Sequence, residues 1–392
     1  MKKIFINTAI FLFAVFVTGC VQKTTFAADA VMPYINSGEC AGMISVFYDN
    51  GREEIACLGY ADVANKRPIA MDQIFMQCSQ TKGFCGVTIA ILLEEGKISL
   101  DDPVAKYLPQ FKTLTVKAKD GSLKTIDGTA LTIGMVMNHT GGFGFETPTK
   151  SRKGWCAVSL QDTAKEAAAT PLFFAPGTRT GYSNAGIDIG AAVVEVVTGR
   201  PWEVFLQERV LDPLGMKDTT FWPTDEKLAN RIFLYDVRKG AKAKYKDCNK
   251  KWMPMPHNGP TVHPPAGAGL WTTAGDQIKF YKMLMNLGAG DNGVRILKEE
   301  TVKKYLASST RGPAFKGGYS LGLAVSAESG EISHGGAWKT TCTVNWKKKQ
   351  LKLRVLQENG KNAVWHNAWN EAANKFFNSN KKADESYTGR LK

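Results

Sequence analysis

The chain has 392 residues, 44% of them hydrophobic and 22% charged, enough for one large core. Lys and Arg number 50 against 36 Asp and Glu, a formal charge of +14 that would attract anionic cell-wall polymers, lipid headgroups or nucleic acid. No nucleic-acid-binding motif accompanies that charge, so no nucleic-acid partner is expected, and lysine runs such as Lys347-Lys348-Lys349 read as solvated surface.

Met1-Lys2-Lys3 followed by the apolar run Ile4 to Val17 has the build of a secretory signal. The run ends in Val17-Thr18-Gly19-Cys20, which resembles a bacterial lipobox. That resemblance makes residues 1–19 the signal peptide and Cys20 a lipidated mature N-terminus. Cleavage near Ala28 or Ala30, or an uncleaved anchor, are the alternatives. The run is shorter than the ~20 residues a spanning helix needs, and no second candidate span follows. A soluble body tethered to the bacterial cell envelope through a lipid anchor is therefore expected. Val21 after the cysteine favours the periplasmic face of the outer membrane in a Gram-negative host; without lipidation the protein would be secreted or periplasmic. Residues 20–40 are mixed and show no amphipathic period, so they read as a tether reaching at most ~70 Å.

Met43 to Tyr48 and Ile55 to Tyr60 are apolar-rich and flank Asp49-Asn50-Gly51-Arg52, which predicts an antiparallel hairpin. A wholly apolar helix is predicted from about Gln80 to Glu95, closed by Gly96. The stretch from Asp102 to Leu287 reads as helix- and loop-rich, with one helix over Ile187 to Val197 ending at Gly199. Short strands are predicted near Tyr319–Ala327, Glu331–His334, Thr340–Trp346 and Leu351–Gln357. A last amphipathic helix covers about Ala363 to Phe377, ahead of a polar tail, 379–392. Eight cysteines occur (20, 40, 57, 78, 85, 156, 248 and 342), so lipidation of Cys20 leaves at least one unpaired within the chain. Cys78 and Cys85 read as buried free thiols. No cysteine–histidine spacing suits zinc, and neither a metal nor another cofactor is expected.

The chemistry points to three short motifs. Ser79-Gln80-Thr81-Lys82 opens the apolar helix GFCGVTIAILLEEGK. Three residues along a helix return to one face, so the Lys82 amine can lie beside the Ser79 hydroxyl. A serine needs a neighbouring base to become a nucleophile, and a desolvated lysine can serve. The others are Tyr182-Ser183-Asn184 and His334-Gly335-Gly336. None is specific alone: Ser379 to Lys382 repeats S-x-x-K, Tyr34-Ile35-Asn36 repeats Y-x-N, and His139-Thr140-Gly141 repeats H-x-G. Order, separation and flanking sequence discriminate.

With those flanks the chain resembles the β-lactamase-related serine hydrolases, a group containing class C β-lactamases, D-alanyl-D-alanine carboxypeptidases and certain esterases. The matching blocks are IFMQCSQTKGFCGVTIAILLEEGKISLDDPVAKYLP from Ile74, LTIGMVMNHTGGF from Leu131, FAPGTRTGYSNAGIDIGAAVVEVVTGRPW from Phe174, FLQERVLDPLGMKDTTFW from Phe205, PPAGAGLWTTAGDQIKF from Pro264 and SHGGAWKTT from Ser333. The resemblance implies an α/β (α+β) fold, an antiparallel sheet flanked by helices with a largely helical second lobe. It would form a single two-lobed domain over 41–378.

By resemblance, Ser79 is the nucleophile and Lys82 its proton acceptor. Tyr182, with a phenol depressed in pKa between cations, shuttles protons. Asn184 binds Lys82 and the substrate amide. His334 occupies the strand position where many relatives carry K-T-G, which weakens any carboxylate anchor. Gly335 and Gly336 let substrate approach the strand, and the N–H groups of Ala337 and Ser79 form the oxyanion hole. Ser183 nearly fits a G-x-S-x-G elbow, but no buried strand leads into it, and it is rejected as nucleophile. His139 reads as ordering backbone. Pocket selectivity is assigned to the loops Thr147–Cys156 and Tyr235–Pro265, the second a candidate gate.

The implied function is hydrolysis of amides or esters, peptidoglycan-derived peptides among them, with esterase or D-Ala peptidase activity ahead of β-lactamase. A penicillin- or cell-wall-peptide-binding lipoprotein without turnover is the alternative on the same fold, and an envelope-assembly lipoprotein a second.

Overall fold

A computed structural model describes residues 25–153, 158–237, 242, 244, 245, 264–313, 315–359 and 365–379. Its organising element is strand β1, Gly42–Asp49, whose side chains alternate between two cores as a pleated strand requires. Ile44 and Val46 enter one hydrophobic cluster, while Met43 and Phe47 enter another on the opposite face. The predicted hairpin forms: Asn50 (φ 45°) and Gly51 (φ 98°) both take left-handed backbone, the requirement of a two-residue turn matching strand twist, and lead into β2, Arg52–Asp62.

The C-terminal strands complete the sheet. With β3 (Arg67–Pro68), β4 (Tyr319–Ser320), β5 (Leu323–Ser326), β6 (Glu331–Gly335), β7 (Thr341–Asn345) and β8 (Gln350–Val355), eight antiparallel strands run in the order β4-β5-β6-β7-β8-β1-β2-β3. The chain ends thus meet at the sheet centre, where Ile44 pairs with Val355 and Tyr48 with Leu351. The predicted strand Tyr319–Ala327 is broken in two because Leu321 and Gly322 both have positive φ. A Cβ on Gly322 would meet the Lys82 carbonyl oxygen at 2.3 Å, so this turn presses directly on the helix that carries the S-x-x-K motif.

That helix, α2 (Thr81–Glu94), is buried on every side from Thr81 to Leu92, which explains its uniformly apolar sequence. Gly83 and Gly86 permit its close approach to the sheet: a Cβ on Gly86 would lie 1.8 Å from the Leu321 carbonyl oxygen. Helix α3, Asn184–Thr198, packs beside α2 and leads the helical lobe. It starts on a Ser183 cap, whose Oγ accepts from the Gly186 N–H, and stops at left-handed Gly199. Helix α4, Ala274–Met285, covers the same sheet face as α2, where Phe84 and Phe280 stack at 3.7 Å.

One expectation fails. Within the supposed tether 20–40, helix α1 (Phe26–Asn36) forms and packs against the last helix, α5 (Trp365–Asn378). Ala27 and Val31 are fully buried with Phe47, Trp365 and Trp369. Pro33 inside the helix and a stripe of only two fully buried residues hid it in the sequence. Capping of its N-terminal amides supports it: Thr25 Oγ1 accepts from Ala28, and the Glu54 carboxylate on β2 accepts from Phe26 and Ala27, each at 3.0 Å. Cys40, Cys57, Cys85 and Cys342 are free thiols, and Cys78 is buried; Cys20 and the signal region, Cys156, Cys248 and the tail beyond Ser379 lie outside the described residues.

Because α1 is part of the core, Val31→Asp should cost about 3 kcal/mol, read as a lowered urea midpoint. An unchanged midpoint would restore the tether reading.

Candidate active site

The site is built where the two lobes meet. Strand Phe75–Met76 pairs with Trp271–Thr272, and the Gln77 N–H donates to the Leu270 carbonyl at 3.1 Å. The chain then turns through Cys78, a non-glycine residue at φ 50°, into the short 3₁₀ turn Cys78–Gln80 that precedes α2. Such left-handed backbone in a residue with a Cβ is costly and persists only when its surroundings hold it. Here Thr81 Oγ1 donates to the Cys78 carbonyl at 2.7 Å and accepts from the N–H groups of Gly269 and Leu270. Gln80 is held by Gln277 and Tyr281. The half-buried Ser79 therefore projects from a rigid corner at the head of a helix.

Lys82 is fully buried. Its Nζ lies 3.2 Å from Ser79 Oγ, 2.5 Å from Asn184 Oδ1 and 2.6 Å from the Gly267 carbonyl oxygen. Burial lowers its pKa to about 7, against the opposing pull of Glu146 and Asp188. Gly267 must be glycine to come this close, since a Cβ there would meet the Asn184 side chain at 2.7 Å. Tyr182 sits at the mouth, 43% exposed as a residue, but with its hydroxyl turned in to hydrogen-bond Ser79 and its ring face 4.6 Å from Lys82 Nζ. The expected depression of its phenol is not found. Burial raises it to about 12, against the pull of its hydrogen bond with Ser79, and Glu146 adds to the rise.

Asn184 and His334 are both engaged by the protein itself. Asn184 is 2% exposed and faces inward: its Oδ1 accepts from Lys82, as expected, and its Nδ2 donates to Glu146 Oε1 at 2.5 Å. His334, on β6, is likewise engaged. A directional relay fixes both histidines. The Ser183 N–H donates to His139 Nδ1 (3.3 Å), so His139 carries its proton on Nε2 and donates to Tyr319 Oη (3.0 Å). Tyr319 then donates to His334 Nε2 (3.1 Å), and His334 Nδ1–H donates to the Gly335 carbonyl oxygen (2.8 Å). Burial and Lys82 push His334 down to about 3 and His139 well below its ordinary value. Both rings are neutral, and His334 offers neither a charge nor an unengaged ring nitrogen to a substrate.

The glycines after His334 differ in role. Gly336 packs on the corner that carries Ser79, where a Cβ would meet the Gln77 carbonyl oxygen at 2.5 Å. Gly335 is exposed, and a Cβ there would make only ordinary contacts. Ala337 follows in the exposed turn just beyond the strand. Trp271 is core, and Trp155 lies outside the described residues, as does most of the loop Tyr235–Pro265.

Sequence reasoning missed Glu146, Lys150, Asp188 and Tyr319. Lys150 Nζ pairs with Asp188 Oδ2 and lies 3.7 Å from Glu146 Oε2, with all three side chains buried. A charged residue inside the apolar run GIDIGAAVV was the available signal for Asp188, since such a residue must find a partner when buried. Nothing in the sequence separates Lys150 from its neighbour Lys153.

The family model described as Beta-lactamase matches residues 27–370. The chain belongs to the beta-lactamase family, and its fold is of the β-lactamase/transpeptidase type. Among curated relatives it is 30% identical over 257 residues to an uncharacterized protein of Mycobacterium tuberculosis, covering 63% of this chain and 62% of that one. It is 24% identical to the D-alanyl-D-alanine-carboxypeptidase/endopeptidase AmpH of Escherichia coli (68% of this chain, 64% of that one). Similarity to the esterase EstB of Burkholderia gladioli is 28% (56% and 59%). The chain thus spans less than two thirds of the length of these relatives. Among solved structures, EstCE1, a hydrolase with promiscuous acyltransferase activity, superposes with a TM-score of 0.70 at 20% identity, covering 89% of this chain and 97% of that one. Unliganded simvastatin synthase from Aspergillus terreus gives 0.71 at 19% identity, covering 90% and 98%.

The neutral histidines make acid stability a test of the relay. Below pH 6.5 the unfolded chain binds protons that the folded chain refuses, so stability falls with pH from 6.5 towards 3. Each such histidine contributes up to about 1.4 kcal/mol per pH unit. Urea midpoints between pH 7.5 and 5 should fall less steeply for His334→Asn than for the unaltered protein. Equal slopes would contradict a neutral, buried His334.

Proposed function

We propose that this protein is a serine hydrolase that cleaves esters, and amides less readily, through an acyl-enzyme on Ser79. The observation that carries the reading is the hydrogen-bond geometry of Lys82. A neutral amine has two N–H bonds and one lone pair. Asn184 Oδ1 and the Gly267 carbonyl oxygen take the two N–H bonds, which leaves the lone pair for the Ser79 hydroxyl 3.2 Å away.

In the first step Ser79 Oγ attacks the acyl carbon as its proton passes to Lys82 Nζ, and the carbonyl π pair moves onto oxygen. The N–H groups of Ser79 and Ala337, with the positive end of α2 behind Ser79, stabilise that charge. Collapse re-forms the carbonyl and expels the leaving group, which takes the proton from Lys82 through the neutral Tyr182 hydroxyl. Water then releases the acid by the same route in reverse. A phenol near pKa 12 is suited to relay a proton rather than to act as a standing phenolate.

Neutral His334 supports esters over D-Ala-terminated peptides and β-lactams. A carboxylate anchor is a charge-assisted hydrogen bond worth about 1.5–3 kcal/mol, and a ring that is neutral above about pH 3 does not supply one. Exposed Phe145, stacked on Tyr182 at 6.2 Å, gives the mouth an apolar wall. Exposure to a fluorophosphonate should therefore add one adduct at Ser79, faster as pH rises through about 7 and absent in Ser79→Ala. Penicillin should acylate the same serine, through opening of its β-lactam ring, at least about tenfold more slowly, the equivalent of one lost anchor. No fluorophosphonate adduct on folded protein would sink the acyl-enzyme, and faster penicillin labelling would sink the ester preference.

The same proposal places the protein on the cell envelope through a lipid on Cys20. Since α1 begins at Phe26 behind its Thr25 cap, four residues separate the anchor from that cap, a reach of only about 17 Å over five Cα steps. Substrate would then be met close to the membrane. Labelled fatty acid should enter the protein in its bacterial host and fail to enter Cys20→Ser. Equal incorporation in both would remove the anchor from the account.

A further inference from the structure

Behind the nucleophile lies a closed ring of polar groups whose far side the acyl-transfer mechanism does not use. Lys82 Nζ donates to Asn184 Oδ1, and Asn184 Nδ2 donates to Glu146 Oε1, each at 2.5 Å. The other Glu146 oxygen lies 3.7 Å from Lys150 Nζ, which in turn pairs with Asp188 Oδ2. The Gly267 N–H donates to Asp188 Oδ1 at 3.1 Å, and the Gly267 carbonyl accepts from Lys82 at 2.6 Å, closing the ring. Two lysines and two carboxylates share this buried circuit. The side chains of Lys150, Glu146 and Asp188 are 1%, 3% and 0% exposed.

Burying four ionisable groups together is expensive unless the arrangement compensates them. Lys82 alone would not need it, since Asn184 and Gly267 already take its two N–H bonds. The circuit has a consequence for Lys82 nonetheless. Glu146 and Asp188 face it at one remove and favour its protonated form, whereas the Lys150 ammonium between them opposes that pull.

We propose that Lys150, wedged between Glu146 and Asp188 behind Asn184 and Gly267, is a positioning residue that keeps Lys82 available as a base. It cancels the field of two carboxylates that would otherwise hold Lys82 as an ammonium, while the ring fixes Asn184 and Gly267 as acceptors. The inference rests on the reading of Lys82 as the proton acceptor for Ser79.

Other groups around Lys82 also bear on its charge: Cys78 at the corner, Cys85 on α2, Tyr182 before α3, His139 and, on β6, His334. Tyr182 is raised and both histidines are lowered, so these three are uncharged near pH 7. Glu146 and Asp188, the first two charges acting on Lys82, are the ones that Lys150 balances.

The test is the pH profile of fluorophosphonate labelling at Ser79, which requires no knowledge of the natural substrate. Lys150→Met should move the rising limb to higher pH by one unit or more, lowering the rate below the limb at least about tenfold. Glu146→Gln, which keeps an oxygen for Asn184, and Asp188→Asn should each move it to lower pH. Opposite shifts from removing opposite charges are not a signature of general loosening. If Lys150→Met fails to fold, the Glu146→Gln and Asp188→Asn shifts still decide the matter. Limbs that coincide with the unaltered protein, or that all move in one direction, overturn the proposal. Absence of any Ser79 adduct in the unaltered protein would instead overturn the acyl-enzyme reading, and this inference with it.

Discussion

The desolvation of Lys82 is the constraint on which the rest of the site depends. An ammonium in water has no use as a base at neutral pH; the same group, wholly buried, comes down to about 7. Burial alone would also displace the side chain or its proton at random, so the structure supplies acceptors at fixed points. Asn184 at the head of α3 and the Gly267 carbonyl in the loop before α4 hold the amine against Ser79. The other features near Ser79 can be understood as holding those points still.

Backbone contact, rather than side-chain packing, achieves much of that rigidity. Gly86 brings α2 onto the turn between β4 and β5, and Gly322 of that turn rests against the Lys82 carbonyl. Gly267 touches Asn184, and Gly336 touches the corner at Gln77. At these places a methyl group would meet protein atoms well inside van der Waals distance, so the lobes cannot separate without losing the site. The neutral relay from Ser183 through His139 and Tyr319 to His334 ties the loop before α3 to β6 in the same way.

Much of this was legible from residue order. The apolar character of α2 announced a helix buried all round, and Asn-Gly between alternating runs announced the β1–β2 hairpin. The S-x-x-K spacing put Lys82 beside Ser79, and the flanking blocks named the family. What could not be read was three-dimensional coincidence. Helix α1 hid because its stability comes from Glu54 and the α5 surface rather than from its own period. The raised Tyr182 phenol and the inward-facing Asn184 depend on burial, which spacing does not disclose. Lys150 looked like any surface lysine until Glu146 and Asp188 closed around it.

The most direct test of the account is the charge on Lys82 itself. Lysines labelled with ¹³C at Cε can be followed by NMR as pH is varied, with the Lys82 signal assigned by its loss in Lys82→Met. A Lys82 signal titrating near pH 7 in the folded protein is the predicted result. A signal that stays that of an ammonium up to pH 10 would mean that Lys82 is a cationic partner of Ser79 and not its base, and the mechanism built here would be wrong.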